Sequence, residues 1–300
     1  MIKIAICICT RKREMQLIKL LESIRGMVIP SGTVIALTIV ENDTEAYSKD
    51  TVLKFKKSSG LDISYYLEAR VGLTYARNRS VEEAKDCDFY CFMDDDQVVK
   101  DDFLVNLLEC QAEFAADGVA PRCSPLFDKI VSPAVQKFHT RHVHPYGHIV
   151  NSTGTGGLLI SKNYLAMIQG PFDIRFNFSG CEDIFLTSQI SGLGGKIRYN
   201  PNAVIYEVIP DSRTTVSYIY KRSFGDSNAE YFLRSLGRES HFKLRSLIYL
   251  FIKLGYGLLT VIPLLLFGGQ NSLNGIIKIA HALGGISFFF GKKNQFYKSN

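Results

Sequence analysis

The seven cysteines of this chain include no C-x-x-C pair, and the sequence has no internal repeat and no low-complexity tract. Several of the cysteines lie instead in apolar, strand-like runs, which is typical of buried, reduced thiols. We therefore expect a fold that faces the cytosol.

The N-terminal stretch MIKIAICICT lacks the long hydrophobic run and the small-residue cleavage site of a signal peptide. It alternates like a strand that runs into a polar loop, and we predict that it is the first core strand. Despite a net charge of +6, the lysines and arginines are scattered, and they are most concentrated near the C-terminal apolar region. This argues against nucleic acid as a partner, and favours anionic lipid or phosphorylated substrates.

The chain has 300 residues and is 46% hydrophobic, which excludes a mostly disordered protein. Segments with helical period, such as MQLIKLLESI and LTYARNRSVEEAK, separate apolar runs rich in Ile, Val and Tyr. These runs are Ile2–Cys9, Val34–Val40, Ile63–Leu67 and Phe89–Met93. Strands that alternate with helices predict an α/β fold with a mainly parallel, helix-covered sheet.

Polar residues follow each of these four runs. In parallel sheets ligands bind beyond the carboxyl ends of the strands, so the segments should meet at one edge. They are Thr10-Arg11, Glu41-Asn42-Asp43, Arg70 and Asp94–Asp96. The sequence therefore predicts a binding site at this edge.

The stretch FMDDDQV places Asp94, Asp95 and Asp96 directly after an apolar run. Neighbouring anions cost free energy unless something positive compensates them. A D-x-D pair suits Mg²⁺ or Mn²⁺, which take carboxylate oxygens and keep open positions for phosphate. The alternative is a solvated turn or a helix N-cap.

A second acidic pair, Glu182-Asp183, opens a helical segment in FSGCEDIF. Acidic residues in a first turn can simply complement the helix dipole. As a catalytic feature, one of the two carboxylates would act as general base and take a proton from an attacking hydroxyl.

Arg70 and Arg77 lie in EARVGLTYARNRS, at a loop and at the start of a helix. The guanidinium fork suits phosphate or a planar base. The alternative is a surface helix on which Arg77 or Arg79 pairs with Glu82 or Glu83.

Four of the six histidines crowd one segment, which raises the question of a zinc site. They are His139, His142, His144 and His148. No nearby Cys or Glu completes a familiar zinc spacing, and Pro145 and Gly147 indicate an irregular loop.

Taken in order, these motifs resemble the family 2 glycosyltransferases with the Rossmann-like GT-A fold, across about residues 2–225. CICTRKRE resembles the first strand and nucleotide loop of that family, IVENDT its acidic second-strand motif, and RVGLTYARNRS its Ala-Arg-Asn segment. FMDDDQVV is similar to its metal-binding D-x-D, and FDIRFNFSGCEDIF to the segment that holds its base.

The resemblance implies an inverting, metal-dependent transfer of a sugar from a nucleotide diphosphate sugar, with UDP as the expected nucleotide, to an acceptor hydroxyl. The nucleotide sugar would be bound by Thr10, Arg11, Glu41, Asp43, Arg70, Arg77, Asp94 and Asp95. Asp96, with Asp94, would hold Mn²⁺ or Mg²⁺. Asp183 would be the base, with Glu182 as the second choice, and Arg213 and Arg222 would contact the diphosphate or the acceptor.

Three positions depart from the family pattern. Glu41 stands where relatives often have Asp, Cys181 replaces a frequent Gly, and Glu207 lies where many relatives carry His. The last departure weakens the case for a further metal ligand.

Ser246–Phe267 is close to the roughly 20 residues needed to cross a bilayer, and Ser272–Phe290 is a weaker second candidate. Basic residues flank the pair on its outer sides, which favours a hairpin that enters from the cytoplasmic face, or two helices lying in the interface. A pair of buried soluble helices is the alternative.

We predict a catalytic domain at 1–225, a basic connector at 226–243 and a membrane-associating hairpin with a basic tail at 244–300. The resemblance then implies a membrane-linked or envelope glycan as acceptor, at the cytoplasmic face of the cell membrane.

Two other functions share parts of this pattern. A sugar-phosphate nucleotidyltransferase also uses a Rossmann-like sheet and a carboxylate-bound metal, but CTRKREM lacks the glycine of its first loop. A non-catalytic, membrane-tethered subunit that binds a sugar nucleotide would need Asp94–Asp96 but not Asp183.

Overall fold

The computed structural model describes residues 1–236, 241–267 and 272–296. The chain forms two compact units. The first unit comprises Met1–Leu126, Arg141–Arg175 and Glu182–Val208, and the second comprises Phe127–Thr140, Phe176–Cys181 and Ile209–Asn300.

The first unit begins with alternating strands and helices: β1 (Ile2–Thr10), α1 (Glu14–Arg25), β2 (Thr33–Glu41), α2 (Lys49–Ser59), β3 (Ile63–Leu67), α3 (Leu73–Glu83) and β4 (Phe89–Asp94). It continues with β5 (Gln97–Val99), α4 (Phe103–Phe114), β6 (Gly118–Phe127), β7 (Leu159–Ser161), α6 (Lys162–Ala166), α7 (Glu182–Gly192) and β8 (Ile197–Ile209). Helix α5 (Pro133–His139) follows β6 in the chain and belongs to the second unit. The four predicted apolar runs are β1 to β4.

The strands form one sheet in the order β3-β2-β1-β4-β7-β6-β8-β5. Pairing is parallel among β3, β2, β1 and β4, as the alternation of strands and helices predicts. It is antiparallel between β4 and β7, β7 and β6, and β5 and β8. The parallel character is therefore confined to the half of the sheet whose strands are joined by crossover helices.

Both faces of the parallel half are covered. Along β1 the side chains of Ile4, Ile6 and Ile8 join one buried cluster, and those of Ala5 and Cys7 join another on the opposite face. Burial on both faces explains why the strands are continuous apolar runs. All seven cysteines are free, and four of them are buried, which agrees with the prediction of reduced thiols.

The segments KIRY and AVIYEV belong to one strand, β8, with Pro201 between them. Pro201 interrupts the strand ladder, but the side chain of Asn200 accepts the backbone N–H of Asn202 (2.9 Å) and donates to the carbonyl of Asn106 (2.8 Å). The backbone therefore stays hydrogen-bonded and extended across the proline.

The second unit is helical and contains α5, α8 (Val216–Ser235), α9 (His241–Phe267) and α10 (Ser272–Phe289). Val135, Ile219 and Leu273 form a small buried cluster in it. Within the described ranges one helical segment, Phe242–Val261, has the length and composition to cross a membrane, and little of it is buried. The predicted domain boundary after residue 225 falls inside α8, and the predicted three-part division stays a prediction.

Candidate active site

The carboxyl ends of three parallel strands carry the predicted motifs to one edge of the sheet. Thr10 at the end of β1 lies in register with Glu41 at the end of β2. On the other side of β1, Cys9 lies in register with Asp94 at the end of β4. The convergence that the sequence predicts at this edge is therefore present in the first unit.

Asp95 and Asp96 form the turn between β4 and β5. The carboxylate of Asp95 is buried, and it accepts hydrogen bonds from the Thr10 hydroxyl (2.8 Å) and from Arg13 Nη1 (3.0 Å). The same Arg13 nitrogen lies 3.4 Å from Asp96 Oδ2. Burial raises the pKa of Asp95 to about 6, although the charge of Arg13 opposes the shift. Asp95 thus fixes the turn rather than facing solvent.

Asp94 differs from Asp95 in its exposure, because 40% of its side chain is accessible to solvent. Its Oδ1 accepts from Arg77 Nη2 at 2.9 Å, and its backbone N–H donates to the side chain of Gln97 at 2.9 Å. Asp94 is therefore held in place while part of its side chain stays accessible.

Arg77 joins two motifs that lie far apart in sequence. Its guanidinium is buried and donates from Nη2 to Asp94 and from Nη1 to Glu182 Oε1, at 2.7 Å. Burial and the charge of Asp183 raise the pKa of Glu182 to about 7, against the opposing charge of Arg77. Arg13 and Arg77 together supply part of the positive charge that the three adjacent aspartates require.

Asp183 lies in the first turn of α7, as predicted, and is half-buried. Its Oδ1 accepts the backbone N–H of Ile184 at 2.7 Å. Cys181, just before this helix, has φ 71°, in the left-handed region that favours glycine. This backbone conformation suits the glycine that the family resemblance implies at this position.

The glycine-rich segment Gly154–Gly157 runs past the carboxylate of Asp183. A Cβ on Gly154 would lie 3.3 Å from Asp183 Oδ2, and one on Gly156 would overlap the side chain of Gln97. The Thr187 hydroxyl accepts from the backbone N–H of Thr153 (2.9 Å) and ties the segment to α7. This segment therefore links the Asp94 turn, through Gln97, with the start of α7.

The end of β2 behaves differently from the end of β4. Glu41 has no exposed surface, and its carboxylate accepts from the backbone N–H of Ser48 (2.8 Å) and from the Tyr65 hydroxyl. Its position favours a role in holding the loop before α2, and the nucleotide contact predicted for it stays a prediction that this geometry does not favour.

Asp43 is also buried, and it faces the loop after β1. It accepts from Arg11 Nε at 3.2 Å and lies 3.5 Å from Lys12 Nζ. Burial alone would raise the pKa of Asp43, but the N–H of Thr44 and the two basic side chains outweigh it and lower the pKa.

Arg70 is exposed and binds Glu68 with both arms of its fork, at 2.8 and 2.9 Å. The Asn42 side chain donates to the carbonyls of Glu68 and Arg70 and accepts the N–H of Gly72 (2.6 Å). Asn42 thereby fixes the loop before α3 against the end of β2.

The second unit holds the remaining predicted residues. Arg213 accepts at its backbone carbonyl from the His139 ring (3.2 Å), and Arg222 pairs with Asp226 at 2.9 Å. Diphosphate or acceptor contacts for these two arginines stay predictions.

The other three histidines of the predicted cluster lie in the first unit. The rings of His144 and His148 are stacked at 4.6 Å, and those of His142 and His144 lie edge to face at 4.5 Å. Across the part of the chain that the structure describes, no group of three or more His, Cys, Asp or Glu side chains is arranged to hold a metal ion. The zinc alternative therefore has no support in the geometry.

The sequence model of glycosyl transferase family 2 matches residues 5–172, which is more than half of the chain. The chain belongs to this family. The match covers the strands and turns that form the site from β1 to the segment Gly154–Gly157, and it decides against the nucleotidyltransferase alternative.

This glycosyltransferase is 27% identical over 225 residues to the succinoglycan biosynthesis protein ExoM of Rhizobium meliloti (strain 1021), a match that covers 74% of this chain and 72% of ExoM. The crystal structure of S. aureus TarS 1-349 in complex with UDP matches at a TM-score of 0.54 with 13% identity, over 97% of this chain and 92% of that chain. GalNAc-T7 with UDP, GalNAc and Mn²⁺ matches at a TM-score of 0.56 with 12% identity, over 77% of this chain and 51% of that chain. These structural matches confirm the predicted GT-A fold.

Sequence reasoning missed three features of the glycosyltransferase site, namely Arg13, Gln97 and the segment Gly154–Gly157, and it placed Asn42 at the edge without giving it a role. A signal for Arg13 was present, because three basic residues follow β1 and three acidic residues, Asp94–Asp96, lie at the end of its neighbour β4. The glycine-rich segment is visible in sequence as an approach to a strand, but its passage beside Asp183 depends on tertiary contacts.

Proposed function

We propose that this glycosyltransferase moves a sugar from a UDP-sugar to a hydroxyl of a membrane-linked or envelope glycan, with inversion at the anomeric carbon. The observation that carries the proposal is the convergence of the Asp94–Asp96 turn, Arg77 and the Glu182-Asp183 pair at one sheet edge of the first unit. An acidic turn that faces the diphosphate of the donor, together with a separate carboxylate that acts as base, suits group transfer.

UDP as the nucleotide is supported by the structural neighbours. TarS 1-349 was crystallised with UDP and with UDP-GlcNAc, and GalNAc-T7 with UDP. In this chain, Arg11 is a predicted nucleotide contact with an accessible side chain, and it pairs with the buried carboxylate of Asp43. Thr10 and Asp95 are buried against each other, so we assign them to supporting the turn rather than to direct contact.

The residues present fit a divalent cation in one specific way. Mg²⁺ is commonly held by one or two carboxylates, with substrate phosphates and water in the other positions. The Asp94 side chain is 40% accessible, and Asp96 lies two residues further on, in the turn after β4. We therefore propose these two as the ligands. When bound, Mg²⁺ or Mn²⁺ would neutralise charge on the departing diphosphate.

Asp183 is proposed as the general base. It would accept the proton of the acceptor hydroxyl while that oxygen forms a bond to the anomeric carbon and the bond from this carbon to the diphosphate oxygen breaks. Glu182 is the weaker candidate, because its carboxylate is buried and bonded to Arg77. Its raised pKa favours a protonated or shared state near neutral pH rather than a free base.

A glycan of the cell envelope is proposed as acceptor, at the cytoplasmic face of the membrane. ExoM is a succinoglycan biosynthesis protein, and succinoglycan is a polysaccharide. The exposed apolar helix α9 and the basic C-terminal region support a membrane location.

A panel of UDP-, dTDP- and GDP-sugars tests the donor, with Mn²⁺-dependent thermal stabilisation of the detergent-purified protein as readout. Specific binding to the folded state should raise Tm. We expect a shift with UDP-sugars alone that disappears in Asp96→Ala but persists in the matched control Asp101→Ala, an exposed aspartate on the next turn. A metal-dependent shift with another nucleotide class would reject UDP.

Asp183→Asn tests the base. We expect the UDP-sugar shift to persist while turnover falls by roughly 10² to 10⁴, the usual contribution of a positioned general base. Turnover close to that of the wild type would reject Asp183 as base. If the wild-type protein binds donor but never transfers sugar, the non-catalytic alternative is supported instead.

A further inference from the structure

Helix α9 exposes an apolar face instead of burying it. Seven large apolar side chains on this helix are each more than half exposed: Leu244, Ile248, Tyr249, Phe251, Ile252, Tyr256 and Leu259. At 100° per residue they fall on one side of the helix. A helix of a soluble protein turns such a face towards the core.

The polar side chain in the middle of α9 points the other way. Lys253 Nζ lies 2.9 Å from His281 Nδ1 on α10, and His281 Nε2 lies 3.3 Å from a carboxylate oxygen of Glu230 on α8. The Ser227 hydroxyl lies 3.1 Å from the same His281 Nδ1. The charged group is thus paired inside the helical unit while the apolar face is outside. This inverted polarity suits an apolar solvent.

Helix α10 is joined to α8 along its length. The side chain of Asn228 donates to the carbonyls of Gly284 and Lys292 and to the Ser287 hydroxyl, at 2.8 to 3.1 Å. A Cβ on Gly284 would overlap the Phe224 carbonyl oxygen, so the two helices are in backbone contact. The depth of α10 in a bilayer would therefore be tied to that of α8.

Helix α8 is a poor candidate for the bilayer interior. Lys221, Asp226 and Arg234 on it are exposed. A hairpin of α9 and α10 that crossed the membrane would bring these charges towards the hydrocarbon, at several kcal/mol for each charge near the centre. It would also place Lys253 near the middle of the membrane.

The surroundings of the apolar face are basic. No Asp or Glu occurs after residue 240, whereas seven Lys or Arg do. Lys243 and Arg245 at the start of α9 and Lys292 and Lys293 after α10 are exposed. This charge complements anionic lipid headgroups, which attract basic residues near the membrane surface.

Two tyrosines support a helix lying in the interface. Tyr249 and Tyr256 are seven residues apart, so they lie on one margin of the exposed face, halfway along α9. Tyrosine prefers the boundary between headgroups and acyl chains. In a spanning helix these positions would lie within the hydrocarbon core, whereas in a helix parallel to the surface the margin stays at the boundary.

We propose that α9 lies parallel to the plane of an anionic bilayer, with its apolar face among the outer acyl chains and with α10 and α8 stacked on its other side. This inference rests on the membrane location proposed above and adds the orientation of α9 relative to the bilayer. In-plane helices of this kind reach roughly 5–10 Å into the boundary region.

The absence of tryptophan from the chain allows a direct test. Leu244→Trp, Ile252→Trp and Leu259→Trp each place a single tryptophan on the exposed face, and the outer two are about 22 Å apart along the helix axis. The full-length variants are bound to vesicles of phosphatidylcholine and phosphatidylglycerol that carry bromine at defined acyl positions. Quenching then reports the depth of each tryptophan.

We expect the same shallow depth at all three positions and no quenching for Val216→Trp, an exposed apolar position at the start of α8. A deeper Ile252→Trp, with the other two shallow, would show a spanning helix and overturn the proposal. Binding to vesicles without quenching at any of the three, or dimerisation that shields them, would assign the face to a protein partner and also overturn it.

A charge on the face gives a second readout. Phe251→Glu with Ile252→Glu should lower partitioning into these vesicles by roughly tenfold or more, since acidic side chains are unfavourable in the bilayer. Val216→Glu should have no such effect. Donor binding, followed by the UDP-sugar thermal shift, should be unchanged in both. Loss of donor binding in every variant and in the wild type would instead count against the proposed function and leave the depth result standing.

Discussion

At the scale of single residues, the acidic site depends on two arginines. Arg77 is the clearer case, because both Asp94 and the buried Glu182 bind it. Removing one partner of a buried ion pair leaves an uncompensated charge and typically costs about 3–5 kcal/mol. We expect Arg77→Met to lower the free energy of unfolding by about that amount, measured by urea denaturation.

Two variants separate this effect from a general loss of charge. Arg79→Met removes a neighbouring arginine that pairs with Glu83 one helical turn away, nearer the surface, and should cost less than about 1 kcal/mol. Adding Glu182→Gln to Arg77→Met should restore part of the lost stability. Equal effects of Arg77→Met and Arg79→Met would contradict the assigned role.

Asp95 makes stability depend on pH. Its pKa is raised to about 6 by burial, whereas an unfolded aspartate has a pKa near 3.9. Between these values the folded state binds more protons than the unfolded state, so the free energy of unfolding should fall as pH rises from about 4 to 6. Glu182 extends the same trend to about pH 7.

The contribution of Asp95 is isolated by urea denaturation at pH 4.5 and 6.5, in chelator and without nucleotide. The decline in stability over this interval should be smaller in Asp95→Asn than in the wild type. Asp101→Asn alters an exposed carboxylate and should leave the decline unchanged. An unaltered decline in Asp95→Asn would show that another group titrates there.

At the scale of elements, the segment Gly154–Gly157 packs against helix α7 and lies beside the carboxylate of Asp183. A methyl group at position 154 would lie 3.3 Å from Asp183 Oδ2, close enough to displace the carboxylate by a few tenths of an ångström. Small misplacements of a catalytic group lower rates strongly. We expect Gly154→Ala to reduce kcat by roughly tenfold, with the free energy of unfolding changed by less than about 1 kcal/mol.

The matched substitution is Gly192→Ala, at the other end of α7, where an added Cβ has no atom within 4 Å. It should leave kcat unchanged. A Gly154→Ala enzyme with the wild-type rate would mean that the position of Asp183 is not limiting, whereas a large loss of stability would mean that the segment is structural.

The elements that the sequence predicts are those whose signal is local. Strands β1 to β4 are apolar runs buried on both faces, and α7 begins at the predicted acidic pair. Strands β5 and β7 have three residues each, and only their partners define them. The same holds for the site. The motifs in the sequence predict Asp94–Asp96 and Asp183, but the ion pair of Arg13 with Asp95 forms only because β1 and β4 are neighbours in the sheet.

At the scale of the whole molecule, the acidic and basic residues are distributed unevenly. All 29 Asp and Glu residues precede residue 241, and the rest of the chain is basic and apolar. Deletion of residues 241–300 would seem a simple way to test membrane attachment. The second unit argues against it, because α8 buries much of one face against α10.

We expect the deletion to unfold α8 and cause aggregation, because Ala229, Tyr231 and Phe232 are buried and would lose their cover. Exposing buried aromatic side chains of this size costs about 1.5–3 kcal/mol each. Circular dichroism should show less helix than the loss of α9 and α10 explains, and light scattering should rise without detergent. The Phe251→Glu and Ile252→Glu variant should keep its helix content and remain dispersed. A soluble, monomeric truncated protein with α8 intact would show that α8 is stable without α10. The packing of α8 against α10 would then no longer support an α9 that lies in the plane of the membrane.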